Sequence, residues 1–149
     1  GTTALEFLED APTPDVMVVA IGGGGLISGM SIALKALHPN VRIIGVEPTG
    51  SPTLKASLDA GRVVRLPEVT SRVATMSCGE TDSGIFDLVQ AHVDDVMLVD
   101  DEDILGSSVV LNLSVACMIR VDHEGPFFRF QTALVQRSHD VHIISVYPS

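Results

Sequence analysis

The sequence predicts an α/β domain, an open, mostly parallel, three-layer sheet with helices between its strands. Three observations carry this expectation. Residues 16–21 (VMVVAI) are continuously apolar and rich in β-branched side chains, as strands buried on both faces are, and 41–47 (VRIIGVE) read as a second buried strand. Between them Leu26, Met30, Ala33, Leu34 and Leu37 recur at helical spacing. Four consecutive glycines, Gly22 to Gly25, join the first run directly to that helix.

The elements follow in order. GTTALEFLED places Ala4, Leu5 and Leu8 on one helical face, with Thr2 or Thr3 as cap. Pro12 and Pro14 end that helix. The strand at 16–21 and the helix at 26–37, stopped by His38-Pro39-Asn40, lead into the strand at 41–47. This closes a strand–helix–strand unit of about thirty residues, a unit that is right-handed and parallel. Ser51 or Pro52 starts a short helix running through Leu58 to Gly61, and residues 63–66 read as an edge strand. The polar, glycine-bearing stretch 70–84 reads as a loop lying over a site. A helix at 85–91 and a strand at 96–99 come next, and Asp101 to Asp103 cap a helix running to about Cys117. Residues 141–146 read as a last buried strand. Ligands in such sheets sit at the carboxyl ends of the strands, where Gly22 to Gly25 and Glu47 both fall.

A length of 149 residues fits a single domain, residues 1–149. With 46% hydrophobic and 19% charged residues and a mean hydropathy of +0.37, the chain is apolar for a free-standing domain. Surface meant for burial against something else is the implication. No apolar stretch reaches the roughly 18–20 residues of a bilayer span, so no membrane helix is expected. A net charge of −10 repels nucleic acid and anionic lipid. GTTALEFLED lacks a secretory start, and Cys78 and Cys117 form no CxxC pair. Reduced thiols in a cytoplasmic setting are therefore expected.

The tetraglycine turn advertises a phosphate cradle. Residues without side chains let the backbone turn tightly with several N–H groups facing one anion. The following helix adds its unpaired first-turn amides and its positive dipole end. Each charge-assisted hydrogen bond there contributes roughly 1.5–3 kcal/mol. A tight turn with no ligand is the alternative. A Walker loop is excluded, because Gly25 is followed by Leu26-Ile27 rather than Lys-Ser/Thr. A dinucleotide fingerprint fits only in part: Gly22 and Gly24 match, but Ile27 stands where its third glycine belongs. Glu47 mimics the ribose-binding acid, which keeps an NAD-binding domain as an alternative.

GTTALEFLED, DVMVVAIGGGGLISGMSIALKALHPNVRIIGVEP and DDVMLVDDEDI together resemble the C-terminal half of the threonine/serine dehydratase group. These are fold-type-II enzymes dependent on pyridoxal 5′-phosphate (PLP), and serine racemase belongs with them. The resemblance covers roughly residues 1–104. It implies the Rossmann-like half of such an enzyme, with Gly22, Gly23, Gly24, Gly25 and Leu26 holding the cofactor phosphate. It further implies β-elimination from a hydroxy-amino acid such as serine or threonine, giving a 2-oxo acid and ammonia. A non-catalytic PLP- or phosphometabolite-binding domain, or a self-associating remnant that binds nothing, are the rival readings. Ser77-Cys78-Gly79-Glu80 also resembles a loop of some ammonia-lyase relatives.

The same resemblance implies what is missing. In the family the lysine that links to the cofactor and the grip on the substrate carboxylate lie upstream of the matched part. Lys35 and Lys55 read as solvated helix residues, Lys35 being about 14 Å along the helix axis from the cradle. No catalytic residue is therefore assigned to this chain. Activity would require a missing N-terminal half, and association with it or with another copy is expected. The tail, residues 120–149, diverges: Ser145 lies near the family's pyridine-contacting serine but without the flanking glycines, and His123-Glu124-Gly125-Pro126 is a poor substitute for an upstream family element. Ala74-Thr75-Met76 stands where many relatives read Ala-Asp-Gly. A gene truncated in front and altered behind, as by a frameshift, is the expectation.

Other candidates carry less. Glu47 matches a position that binds a divalent cation in some relatives, but Thr53 replaces the usual acidic partner and Ser51 offers at best a carbonyl. A carboxylate bonded to loop amides is expected there, and no metal site is assigned. Asp94, Asp95, Asp100, Asp101, Glu102 and Asp103 read as turn and helix-start carboxylates. Among His38, His92, His123, His139 and His142, only His139 with His142 has ligand-like spacing, read as incidental. Cys78 reads as a partly buried neutral thiol, with a reactive thiol as the alternative.

Overall fold

The computed structural model describes residues 1–105, 118–122, 129–133 and 143–146. Helix α1 (Thr2–Asp10) leads into strand β1 (Val16–Ala20), helix α2 (Gly25–Leu37) and strand β2 (Arg42–Pro48). Helices α3 (Thr53–Ala60) and α4 (Ser83–His92) precede strand β3 (Asp95–Val99), and β4 (Met118–Asp122), β5 (Arg129–Ala133) and β6 (Ile143–Val146) follow. Residues 101–105 are helical.

The sheet runs β3-β2-β1-β4-β5-β6. β1 pairs with β2 and β2 with β3, both parallel, so that Val16 lies opposite Arg42 and Ile44 opposite Asp95. β4, β5 and β6 add antiparallel strands, with Val18 opposite Ile119. The parallel arrangement thus belongs to the half of the sheet that carries the glycine turn.

One core forms on one face. Met17 and Val19 of β1, Ile43 of β2 and Val96 of β3 meet Ala4, Phe7, Ile27, Met30, Leu34, Leu54 and Val89 from the four helices. These strand residues share one parity, so they point the same way from the pleat. The opposite parity is less covered, and Met97 of β3 is 51% exposed. Among the described residues, sheet and helices supply two of the three expected layers.

Several local expectations need correction. Gly1, not Thr2 or Thr3, is the N-cap of α1: its carbonyl accepts from Ala4 and Leu5, and no side chain caps. The buried stripe is Ala4 and Phe7 with Leu8 packed beside it, whereas Leu5 is exposed. The start of α1 lies against α2, which turns Phe7 inward, and Gly29 permits that approach with a Cβ position only 2.8 Å from the Gly1 nitrogen. Leu37 ends α2 exposed rather than in the core. Residues 63–66 are not a strand, because Val64 donates to Ser57 Oγ and Leu66 to the Gly79 carbonyl. α4 begins at Ser83, two residues before the expected start, capped by the Asp82 side chain on Gly84 N at 2.8 Å. Gly61 does end α3, in the left-handed conformation. The expected helix beyond 105 as far as Cys117, and Val141 and His142 of the last strand, lie outside the described residues.

Candidate functional site

The glycine turn is built from the end of β1 outward. Ile21 N still donates to Val46 O at 2.8 Å, so the chain stays in the sheet for one residue after β1 and then leaves it. Gly24 is the N-cap of α2 with φ 90° and ψ −5°. A Cβ there would stand 2.6 Å from Ile85 Cγ2 and 2.9 Å from Leu54 Cδ1, so both conformation and packing demand glycine. A Cβ on Gly22 would stand 2.8 Å from the Thr75 carbonyl oxygen. Gly23 and Gly25 are exposed, and a Cβ on Gly25 would meet nothing within 4 Å.

The amides of Gly22, Gly23, Gly24, Gly25, Leu26 and Ile27 donate to no protein acceptor among the described residues. No acidic side chain lies in the first turn of α2. Six successive free donors at the positive end of a 13-residue helix offer an anion both hydrogen bonds and a favourable dipole.

Within the stretch 70–82, Thr75 to Thr81 lies against this turn. The stretch includes one 3₁₀ turn, Ala74–Met76. Thr75 abuts Gly22, and Thr81 Oγ1 donates to the Gly23 carbonyl at 3.1 Å. Cys78 Sγ is 3.9 Å from where a Cβ on Gly23 would stand. That thiol is half-buried and donates to the Glu80 carbonyl at 2.9 Å.

Glu47 is fully buried at the end of β2, and both its oxygens are used. Oε1 accepts from Leu54 N at 2.8 Å and Oε2 from Lys55 N at 2.9 Å. The carboxylate therefore ties down the first turn of α3 and meets its dipole. Burial raises the Glu47 pKa above the ordinary glutamate value, with the amides of Leu54, Lys55 and Thr53 pulling the other way. Among the described residues no cluster of His, Cys, Asp or Glu has a metal-holding arrangement. Ser51 and Thr53 instead turn to Cys78: both hydroxyls donate to its carbonyl, and Ser51 Oγ accepts its amide at 2.9 Å.

Neither lysine faces the cradle. Lys35, in the last turn of α2, bonds the Val41 carbonyl and Asp94 Oδ2, each at 2.8 Å. Lys55 pairs with Asp59 one turn along α3. The acidic run is largely taken up by hydrogen-bond partners, most of them 29 to 51 residues away in sequence. Asp94 also accepts Ile43 N, Asp95 accepts Val96 N, Asp100 accepts Thr49 Oγ1, Asp101 accepts Ser71 Oγ and Arg72 N, and Glu102 pairs with Arg72. His38 approaches Thr13, and Cys117, His123, His139 and His142 lie outside the described residues. The roles of Thr81, Ser51 and Thr53 escaped the sequence reading. Two hydroxyls at the start of a helix are the one local hint, and it points to capping rather than to a loop 25 residues away.

Known proteins resemble the part of the chain that carries this turn. Residues 1–111 match the family model described as pyridoxal-phosphate dependent enzyme. An L-threonine ammonia-lyase of Thermotoga maritima is 40% identical over 114 residues, covering 74% of this chain and 28% of that protein. A serine racemase of Oryza sativa is 39% identical over 105 residues, covering 70% of this chain and 31% of that protein. The maize serine racemase structure superposes with a TM-score of 0.70 at 35% identity, over 76% of this chain and 37% of that one. The chain therefore spans about three-tenths of the length of these curated relatives. On the strength of the matched 111 residues, which include the whole glycine turn, the chain belongs to the pyridoxal-phosphate dependent enzyme family.

Proposed function

We propose that this chain is the phosphate-anchoring part of a PLP-dependent dehydratase acting on a hydroxy-amino acid such as serine or threonine. The observation that carries the proposal is the row of six amides from Gly22 to Ile27 at the head of α2 that have no acceptor among the described residues. In this reading Gly22, Gly23, Gly24, Gly25 and Leu26 grip the cofactor phosphate through backbone N–H groups. A phosphate fits because the donors are neutral amides in a helix dipole, which suits an anion in a chain of net charge −10. When bound, the cofactor supplies an electron sink for the charge left on the substrate α-carbon.

The chain's own part is anchoring and shaping. The glycine amides fix one end of the cofactor, the loop 74–82 walls the cleft over Gly22 and Gly23, and the core beneath Gly24 keeps the turn rigid. Lys35 lies about 15 Å along α2 from Gly25, and Lys55 is paired with Asp59. A lysine from another segment is therefore required for turnover, and association with that segment completes the site in this reading. Among the described residues no helix is long and apolar enough to cross a membrane. We place the protein in the cytoplasm, where amino-acid substrates and reduced thiols are both at hand.

The test is titration of the purified chain with PLP, competed by inorganic phosphate, beside an assay for ammonia released from serine and threonine. Saturable, phosphate-sensitive binding without ammonia release is expected of the chain alone. Ammonia release by the chain alone would overturn the claim that its lysines take no part. No binding overturns the anchoring role. Once a complementary segment restores activity, racemisation of serine without ammonia release would move the assignment from dehydratase to racemase.

A further inference from the structure

We propose that Ser51 and Thr53, at the head of α3, are positioning residues that hold the loop 74–82 against the glycine turn and thereby set its affinity for a phosphate-bearing cofactor. This rests on the anchoring role proposed above.

The geometry forms a chain of contacts from a buried carboxylate to the cradle. Glu47 fixes the amides of Leu54 and Lys55, and so the orientation of the first turn of α3. That turn carries Thr53, fully buried, beside Ser51, 1% exposed. Their hydroxyls engage both backbone polar groups of one loop residue, Cys78. Ser51 Oγ accepts the Cys78 amide at 2.9 Å and donates to the Cys78 carbonyl at 2.9 Å, while Thr53 Oγ1 donates to the same carbonyl. Three residues later Thr81 Oγ1 reaches the Gly23 carbonyl, and three residues earlier the Thr75 carbonyl oxygen abuts Gly22. The clamp at Cys78 thus sits midway between the loop's two contacts with the glycine turn. Irregular backbone has no ladder of its own, so its position depends on such side-chain bonds. With the clamp intact, the Gly23 carbonyl is held by Thr81 and the neighbouring amides keep a single orientation. Loss of the clamp frees the loop and costs the cradle its pre-organisation.

Thr53→Val keeps the shape of the side chain and removes the donor; Ser51→Ala removes the two-way bond. Ser57→Ala is the control, since Ser57 is a buried hydroxyl of the same helix that bonds Thr53 O and Val64 N but not the loop. Two quantities are measured on the full chain. One is the rate of iodoacetamide alkylation at Cys78, read by peptide mass spectrometry; the other is the dissociation constant for PLP. Thr53→Val and Ser51→Ala should each raise both by about two- to tenfold, the factor for a net loss of about one hydrogen bond, while Ser57→Ala moves neither. Far-UV circular dichroism checks folding, and Ser51→Ala carries the test should Thr53→Val not fold. Unchanged Cys78 alkylation in the folded variants overturns the clamp. Faster alkylation with unchanged PLP affinity overturns its service to the cradle. If the unsubstituted chain binds no PLP, the anchoring role itself falls and this inference falls with it, an outcome distinct from binding that the variants leave unmoved.

Discussion

Replacing Gly24 by alanine confronts the cradle with two separate costs. At φ 90° an alanine sits in the left-handed region, at about 1–2 kcal/mol. Its Cβ would also stand 2.6 Å from Ile85 Cγ2 and 2.9 Å from Leu54 Cδ1, and forcing a methyl into packed side chains costs roughly 1–3 kcal/mol. The stiffer unfolded chain returns about 0.4–1 kcal/mol. The net loss is about 2–4 kcal/mol, a large part of the roughly 5–15 kcal/mol that a domain has. Gly25→Ala is the companion variant. Gly25 is the first residue of the same helix, its φ is not positive and a Cβ there meets nothing within 4 Å. Its stability should stay within about 0.5 kcal/mol of the parent. Urea unfolding followed by circular dichroism measures both, and the Gly24→Ala melting temperature should fall by roughly 6–16 °C. Equal stability of the two variants would refute the argument, because it would mean that the turn is neither left-handed at Gly24 nor packed on Ile85 and Leu54.

Four further substitutions have expected outcomes. Glu47→Ala leaves the Leu54 and Lys55 amides without their acceptor, and urea unfolding should register a loss of about 1–3 kcal/mol; a change under about 0.5 kcal/mol would contradict the bonds. Burial raises the Glu47 pKa, so the proton-linked part of its contribution, separate from the amide bonds, is full below the ordinary value of 4.5 and is lost as pH rises through the folded value. Glu47→Gln, which cannot ionise, should therefore flatten the stability profile across that acidic window, and parallel profiles for the two proteins would exclude the shift. Asp94 behaves oppositely: burial alone would raise its pKa, but bonds from Lys35 and Ile43 N together with the nearby cations lower it below 3.8. The stability it contributes is present above 3.8 and lost as pH falls through the lowered value, so Asp94→Asn should lessen acid sensitivity there while weakening the fold at neutral pH. Met97→Lys, at an exposed position on the less covered sheet face, should change stability by no more than about 0.5 kcal/mol; a loss above about 1.5 kcal/mol would mean that the position is covered.

The elements legible in the sequence are those whose causes lie within a few residues. The strand, glycine turn and helix from Val16 to Leu37 read correctly because a β-branched run, bare backbone and helical spacing each act locally. The end of α3 at Gly61 read correctly for the same reason, a left-handed cap needing glycine. The misreadings fall where two segments compete. Val63 to Leu66 has strand composition, yet its amides are taken by Ser57 and Gly79. Leu5 and Phe7 are both apolar, and only the docking of α1 on α2 selects Phe7 for the core.

By itself the sequence determined that a strand ends in four bare residues at the head of a helix, and hence that free amides gather there, because no side chain exists to claim or block them. Tertiary structure decided what surrounds those amides. The Glu47 bonds to α3 span seven and eight residues, the clamp on Cys78 at least 25, and the Thr81 bond to Gly23 fifty-eight. A hydroxyl or carboxylate can satisfy any donor or acceptor within reach, so its partner is chosen by which segments the core brings together. Periodicity reports which face is buried, but not against what.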